Sequence, residues 1–352
     1  RGKIVDGHTY QVGEVIAMSA AGGFVGDMRA GGLAEVGSLT LFGSNISLGN
    51  LLQAVQILIP NIKGSSAQGF TSGMVIEATG RDTDHNCGDA GGFAGRISGG
   101  HINTGDDENT GETKKQNAEK STCTVTRLRG VKGMNHVGGF AGVIESGAAA
   151  ALDTKVGEGE ENPIQDLLDA IWNVSGGNLA SVLDVVVPNI EYASVTGMDT
   201  TGFSVYGDAD YAGGFAGMLN GAVIGRNDQT DGIQVNNLKR VVGGKYAGGM
   251  FGLADVSSAA SVTEGGSSIL DLIQTQEVGL LENFRSYIYE ASVNGVESGF
   301  SVEATEEAQV GSGTTESTAF EGNAGGFGGT MQNGVVENSE VTNLASVRAK
   351  SY

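Results

Sequence analysis

The stretch best spaced for metal chemistry is Asp82-Thr83-Asp84-His85-Asn86-Cys87-Gly88-Asp89, with side-chain oxygens at alternate positions as at the start of a calcium loop. Asp82, Asp84 and Asn86 would be the ligands. Two features oppose it: the glycine falls one place late, and Phe93 stands where the bidentate glutamate belongs. An ordinary acidic turn is therefore the expectation, calcium is the alternative, and no other cofactor is expected.

Catalytic patterns are missing. His8, His85, His101 and His136 show no i, i+4 pairing and no adjoining Ser or Cys nucleophile motif. The glycine runs lack the Gly-Lys-Ser/Thr ending of a phosphate loop. Cys87 and Cys123 are the only cysteines, too few for a disulfide framework and wrong for zinc. They fall in successive repeat units, so a disulfide between stacked neighbours and two free buried thiols both remain open. No array of threonines at fixed outward spacing, which would have suggested ice binding, is apparent. The chain does not read as an enzyme.

The elements that must position any site are dictated by one hexapeptide written six times. It appears as AGGFVG at 21–26, AGGFAG at 90–95, VGGFAG at 137–142, AGGFAG at 212–217, AGGMFG at 247–252 and AGGFGG at 324–329. Repetition of one backbone instruction predicts stacked units sharing a continuous core. The twin glycines (Gly22 and Gly23, Gly91 and Gly92, Gly138 and Gly139, Gly213 and Gly214, Gly248 and Gly249, Gly325 and Gly326) are expected to make corners of positive φ and close approach. Phe24, Phe93, Phe140, Phe215 and Phe327 should stack as an aromatic ladder, with Phe251 displaced one place by Met250.

Long and short intervals between hexapeptides alternate. Residues 1–20 then end a preceding short unit, and 21–136, 137–246 and 247–352 are super-repeats, the last stopping before its next AGGF. Alternating apolar runs at Ser72–Thr79, Thr201–Tyr206, Ser298–Thr305, Cys123–Leu128, Ile233–Leu238 and Val341–Leu344 read as strands. Leu51–Ile59, Ile164–Trp172, Leu179–Val187, Ile269–Ile273 and Leu280–Ile288 carry apolar residues at helical spacing. The predicted fold is mainly β: a parallel β-solenoid of Gly-rich repeats with short amphipathic helical insertions on one flank.

With 60 glycines, 3 prolines and a net charge of −21, the chain is unsuited to nucleic acid or an anionic membrane surface. No apolar run is long enough to span a bilayer. The form GGFAG-x-x-x-x-G followed by alternating strands resembles the GLUG-type repeats of bacterial surface proteins and adhesins, as in long wall-anchored proteins of Gram-positive gut bacteria. That resemblance implies an extracellular stalk, adhesin or filament whose partners are neighbouring repeats, copies of itself end to end, or a surface glycan or protein. The alternative is a carbohydrate-binding or polysaccharide-cleaving β-helix, which three or more carboxylates converging in one deep cleft would favour.

Overall fold

The computed structural model describes residues 2–30, 60–80, 87–104, 121–146, 187–208, 210–227, 232–255, 285–305 and 322–350. The protein is mainly β, and its strands lie in four parallel sheets. The chain visits the sheets in a fixed order, so each strand pairs with its counterparts one circuit earlier and later. Alternation explains the pairing: inward residues of successive circuits fall in register and are buried together. Ile62, Ile102, Ile190, Ile224 and Ile288 form one such column. Val125, Val195, Val235 and Val293 form another, with Ile76, Val131, Val205, Val241 and Val302 a third. Every member of these three columns is at most 3 % exposed, so they are the core.

The hexapeptide joins two of the sheets. In its second copy, strand Asp89–Gly91 leads through Gly92 and Phe93 into strand Ala94–Ser98. The expected positive φ is not found at the twin glycines; the left-handed glycines lie elsewhere, at the following corners, for instance Gly99 (φ 73) and Gly221 (φ 62). Close approach is what demands glycine in the motif. A Cβ on Gly91 would lie 2.0 Å from the Ala94 carbonyl oxygen, and one on Gly92 would lie 2.2 Å from that of Gly139. The same contact line carries hydrogen bonds between circuits: Gly92 N–H donates to Gly139 O (2.9 Å) and Phe93 N–H to Phe140 O (2.9 Å).

The aromatic ladder forms as expected over four circuits. Phe24, Phe93, Phe140 and Phe215 stack with centroids 4.8 Å apart at each step. Burial of each ring contributes roughly 1.5–3 kcal/mol, and the aromatic contact about 0.5–1.5 more. At the fifth circuit Met250 takes the ladder position, receiving the Phe215 N–H at 2.9 Å. Phe251 moves into the slot that Ala216 holds one circuit earlier and remains buried. Its ring fills the space above Gly328, where a Cβ would lie 2.3 Å from Phe251 Cζ. The sixth motif accordingly carries Gly where the second, third and fourth carry Ala.

The largest sheet has twelve strands because it is two rows wide. In some circuits one continuous strand covers both rows: Cys123–Gly133 and Ile233–Gly243. Each is bent where one residue is left-handed, Arg127 (φ 55) and Asn237 (φ 59), and the register shifts there. One extra residue in a strand produces this kind of bend. Intervening circuits bend instead through a loop containing Gly73, Gly202 or Gly299, all of positive φ.

Among the described residues there is no helix. The segments of helical spacing lie outside the described residues, apart from Val187, a buried bend residue, and the end of Leu280–Ile288. There the expectation is corrected: Ser286–Tyr289 is a strand. Its residues alternate buried and half-buried, and Ile288 belongs to the isoleucine column. Leu280, Leu281 and Phe284, which carry the helical spacing, lie outside the described residues, and the four residues that remain are too few for periodicity to decide.

Candidate functional site

The twin glycines and the phenylalanine ladder are spent on packing. Cys123 is likewise a core residue, in register with Ala193 and fully buried. Both cysteines are free thiols. Cys87 lies just before strand Asp89–Gly91, whereas Cys123 begins strand Cys123–Gly133 of the twelve-stranded sheet, so repeat membership does not make them stacked neighbours. The Cys123 Sγ donates to Asn103 Oδ1 at 3.5 Å, and burial pushes the thiol up to about 11. Asp82, Asp84 and Asn86, the calcium candidates, lie outside the described residues, as does His85. Among the described residues no group of three His, Cys, Asp or Glu is placed to hold a metal.

The other histidines sit on three different sheets and are not brought together. His8 Nδ1 lies 2.8 Å from Ser66 Oγ, and His101 belongs to the sheet of the isoleucine column. His136 is buried with Nδ1 2.7 Å from Oδ1 of the fully buried Asp89, whose Oδ2 accepts from Arg96 Nε at 2.9 Å and from its Nη2. The His136 ring continues into a row with Tyr211 and Tyr246, centroids 5.3 and 5.1 Å apart. An Asp–His pair could relay a proton, but no hydroxyl or thiol contacts this His136 among the described residues. Compensation of a buried carboxylate explains the cluster.

The outer face of the twelve-stranded sheet is different, since packing does not dictate it. Its first row presents the column Ser66-Thr124-Ser194-Gln234-Ser292 and, beside it, the shorter runs Gln68-Thr126 and Thr196-Asn236-Asn294. All ten are uncharged and half-buried. Asn294 Nδ2 donates to Asn236 Oδ1 at 3.1 Å, and Thr342 Oγ1 to Asn294 Oδ1 at 2.5 Å. Threonines at fixed outward spacing are not what the register assembles; the array is a mixed one of Ser, Thr, Asn and Gln.

The second row is charged. Glu77, Lys132 and Tyr206 occupy one column on three successive circuits. Farther along the row, Arg240 donates from Nη2 to Glu303 Oε2 at 2.7 Å and sits 6.0 Å from the Tyr206 ring centroid. Those contacts raise the Arg240 pKa above its usual range, the Glu303 hydrogen bond most of all. Beside Tyr206 the surface sinks into two adjoining depressions of about 410 and about 360 Å³, which share Glu77, Lys132 and Tyr206. Residues of this row are far apart in sequence, and no local motif announces them.

Compared with known proteins, the chain matches no family model, no curated protein and no solved structure. The geometry therefore carries the functional argument. Carboxylates are spread along the row: Glu77 and Asp208 line one depression, Glu14 and Glu77 the other.

Proposed function

We propose that the chain is a parallel β-solenoid segment of an extracellular bacterial stalk, adhesin or filament, which holds an exposed surface at a distance rather than transforming a substrate. The observation that carries this reading is continuous strand pairing: in each of the four sheets every strand pairs with its counterpart on the next described circuit, over six circuits or more. A body built this way is stiff along its stacking direction, because every circuit contributes hydrogen bonds and core columns to both neighbours. The GGFAG resemblance to bacterial surface repeats and the charge of −21 favour an external, mutually repelling protein. Among the described residues, each of the two depressions beside Tyr206 holds two carboxylates rather than three, which weighs against a polysaccharide-cleaving site there.

Neighbouring turns, in the same chain or in another copy, are the expected partners. Ile4, Val5, Tyr10, Ile16 and Met18 are exposed on the first circuit, and Leu344 and Val347 on the last. Open parallel edges of this kind accept further strands. No helix among the described residues is long and apolar enough to cross a membrane. Immunogold labelling of intact producing cells should decorate their exterior; label confined to the cell interior would overturn the proposal.

A further inference from the structure

We propose that the trough bordered by Glu77, Lys132 and Tyr206 is a binding site for a neutral saccharide. This goes beyond the stalk reading and does not depend on it.

Three observations converge. First, the smaller depression of the trough is floored by Gly130, which has no side chain to fill it. The nearest atom to a Cβ placed there is Ser204 O, at 3.5 Å, an ordinary contact, and its φ is not left-handed. Unlike the motif glycines, Gly130 has no packing reason to be glycine. Its counterparts in the same column are Val75, Ser204 and Arg240, whose side chains stand up from the sheet. Gly130 opens a notch among them.

Second, the charges around the notch are not engaged. Glu77 and Lys132 are in register on adjacent strands, where opposite charges ordinarily pair. Neither makes an ion pair or side-chain hydrogen bond among the described residues, and neither do Glu14, Arg129 and Asp208. The same row does pair its charges farther along, at Arg240 and Glu303.

Third, the chemistry on offer is that of a polyol site. The smaller depression contains Glu14 and Glu77 against Arg129 and Lys132, two carboxylates and two cations. A sugar hydroxyl both donates and accepts, so it uses carboxylate acceptors and ammonium or guanidinium donors side by side. Tyr206 supplies the aromatic plate for the C–H face of a ring, and Ser204 an additional hydroxyl. Other ligand classes fit worse. An anion meets two carboxylates and the field of a chain of net charge −21. A cation meets Arg129 and Lys132, and an apolar ligand would strip water from four charges without replacing their hydrogen bonds. A volume of about 360 Å³ falls within the usual range for small-ligand sites, roughly 300–1,000 Å³.

The test is saturation-transfer NMR and titration calorimetry on the whole chain. Cellohexaose, mannohexaose and maltohexaose are the neutral probes, with a galacturonic acid hexamer as the anionic comparator. At least one neutral hexasaccharide should bind. Gly130→Leu, which fills the notch from an unobstructed Cβ position, and Tyr206→Ala should each weaken it by about tenfold or more, while Tyr206→Phe should retain it. The Gly130→Leu melting temperature should match the parent's; if that variant fails to fold, the double variant Glu77→Gln, Lys132→Met on the outer surface should show the same loss. Silence from all three neutral probes, binding of the galacturonate alone, or unchanged affinity in the variants overturns the assignment.

Discussion

The two rows of the twelve-stranded sheet each bury a β-branched column and differ most in what they present outside. Inward, both carry β-branched columns: Val125, Val195, Val235 and Val293 in the first row, Ile76, Val131, Val205, Val241 and Val302 in the second, all 0 % exposed. Outward, the first row is uncharged from Ser66 to Asn294 and meets a charge at Glu340 on its last strand, whereas the second mixes Glu77, Lys132, Tyr206, Arg240 and Glu303 along its middle. Beside those columns the first row buries mostly small residues (Ala67, Ala193, Ala291) and the second large ones (Met74, Leu128, Phe203, Phe300), but neither set reaches the outer face. The outer residues of a sheet are free to be chosen for solvent, partner or neighbour, so the second row's unevenness is where a specific contact is to be sought.

Placing a charge inside should erase the distinction between the rows. Val125→Asp and Val131→Asp should each cost more than about 3 kcal/mol, because each buries an unpaired carboxylate. Chemical denaturation followed by circular dichroism measures this, and tolerance of one row alone would break the claim that both columns are core. The bend between the rows offers a second test. Arg127 holds φ 55, which a β-branched residue resists and asparagine accepts, as at Asn237. Arg127→Val should lower stability by about 1–2 kcal/mol, and Arg127→Asn should raise it by a few tenths.

Smaller effects should sharpen the outer contrast. Asn294→Ala breaks the side-chain chain from Asn236 to Thr342 and should cost about 1 kcal/mol. Arg240→Ala removes an exposed ion pair and should cost at most about 1 kcal/mol. Lys132→Ala, with no such partner, should be nearly silent in a thermal melt. The last expectation concerns pH. The Cys123 thiol is raised from 9.0 to about 11 by burial, so the folded protein keeps a proton that the unfolded chain has lost. Its stabilising contribution is complete below pH 9 and is lost as the pH climbs through about 11. Cys123→Ala should flatten that part of the stability–pH curve; an unchanged slope would place the thiol in water.

Much of the architecture was legible because the hexapeptide states it directly. The motif position foretells the stacking of Phe24, Phe93, Phe140 and Phe215 but not the place of Phe327, whose ring meets Phe251 edge-on at 5.9 Å. The strands at Met74–Ala78, Phe203–Gly207 and Phe300–Ala304 fall where apolar alternation put them. The reason for the glycines was misread, since sequence shows that a Cβ is absent but not whether φ or a neighbouring carbonyl excludes it. Arg127 left a visible trace: Thr126 and Arg127 are two consecutive non-core residues between Val125 and Leu128, a break in the period of two. The helical expectation failed where it can be checked because Ser286–Tyr289 is too short for periodicity to decide. The trough was not legible at all. Glu14, Glu77, Lys132 and Tyr206 are each separated from the next by more than fifty residues, and only the register of adjacent strands makes them neighbours.

The Phe251–Gly328 contact makes the circuits non-interchangeable. Near-identical repeats invite unequal recombination, which would splice one motif onto another and lengthen or shorten the array. Any splice that sets Phe251 beneath an AGGFAG copy drives its ring into an alanine methyl. One aromatic side chain thus gives an otherwise monotonous stack an address, and a penalty for losing its place.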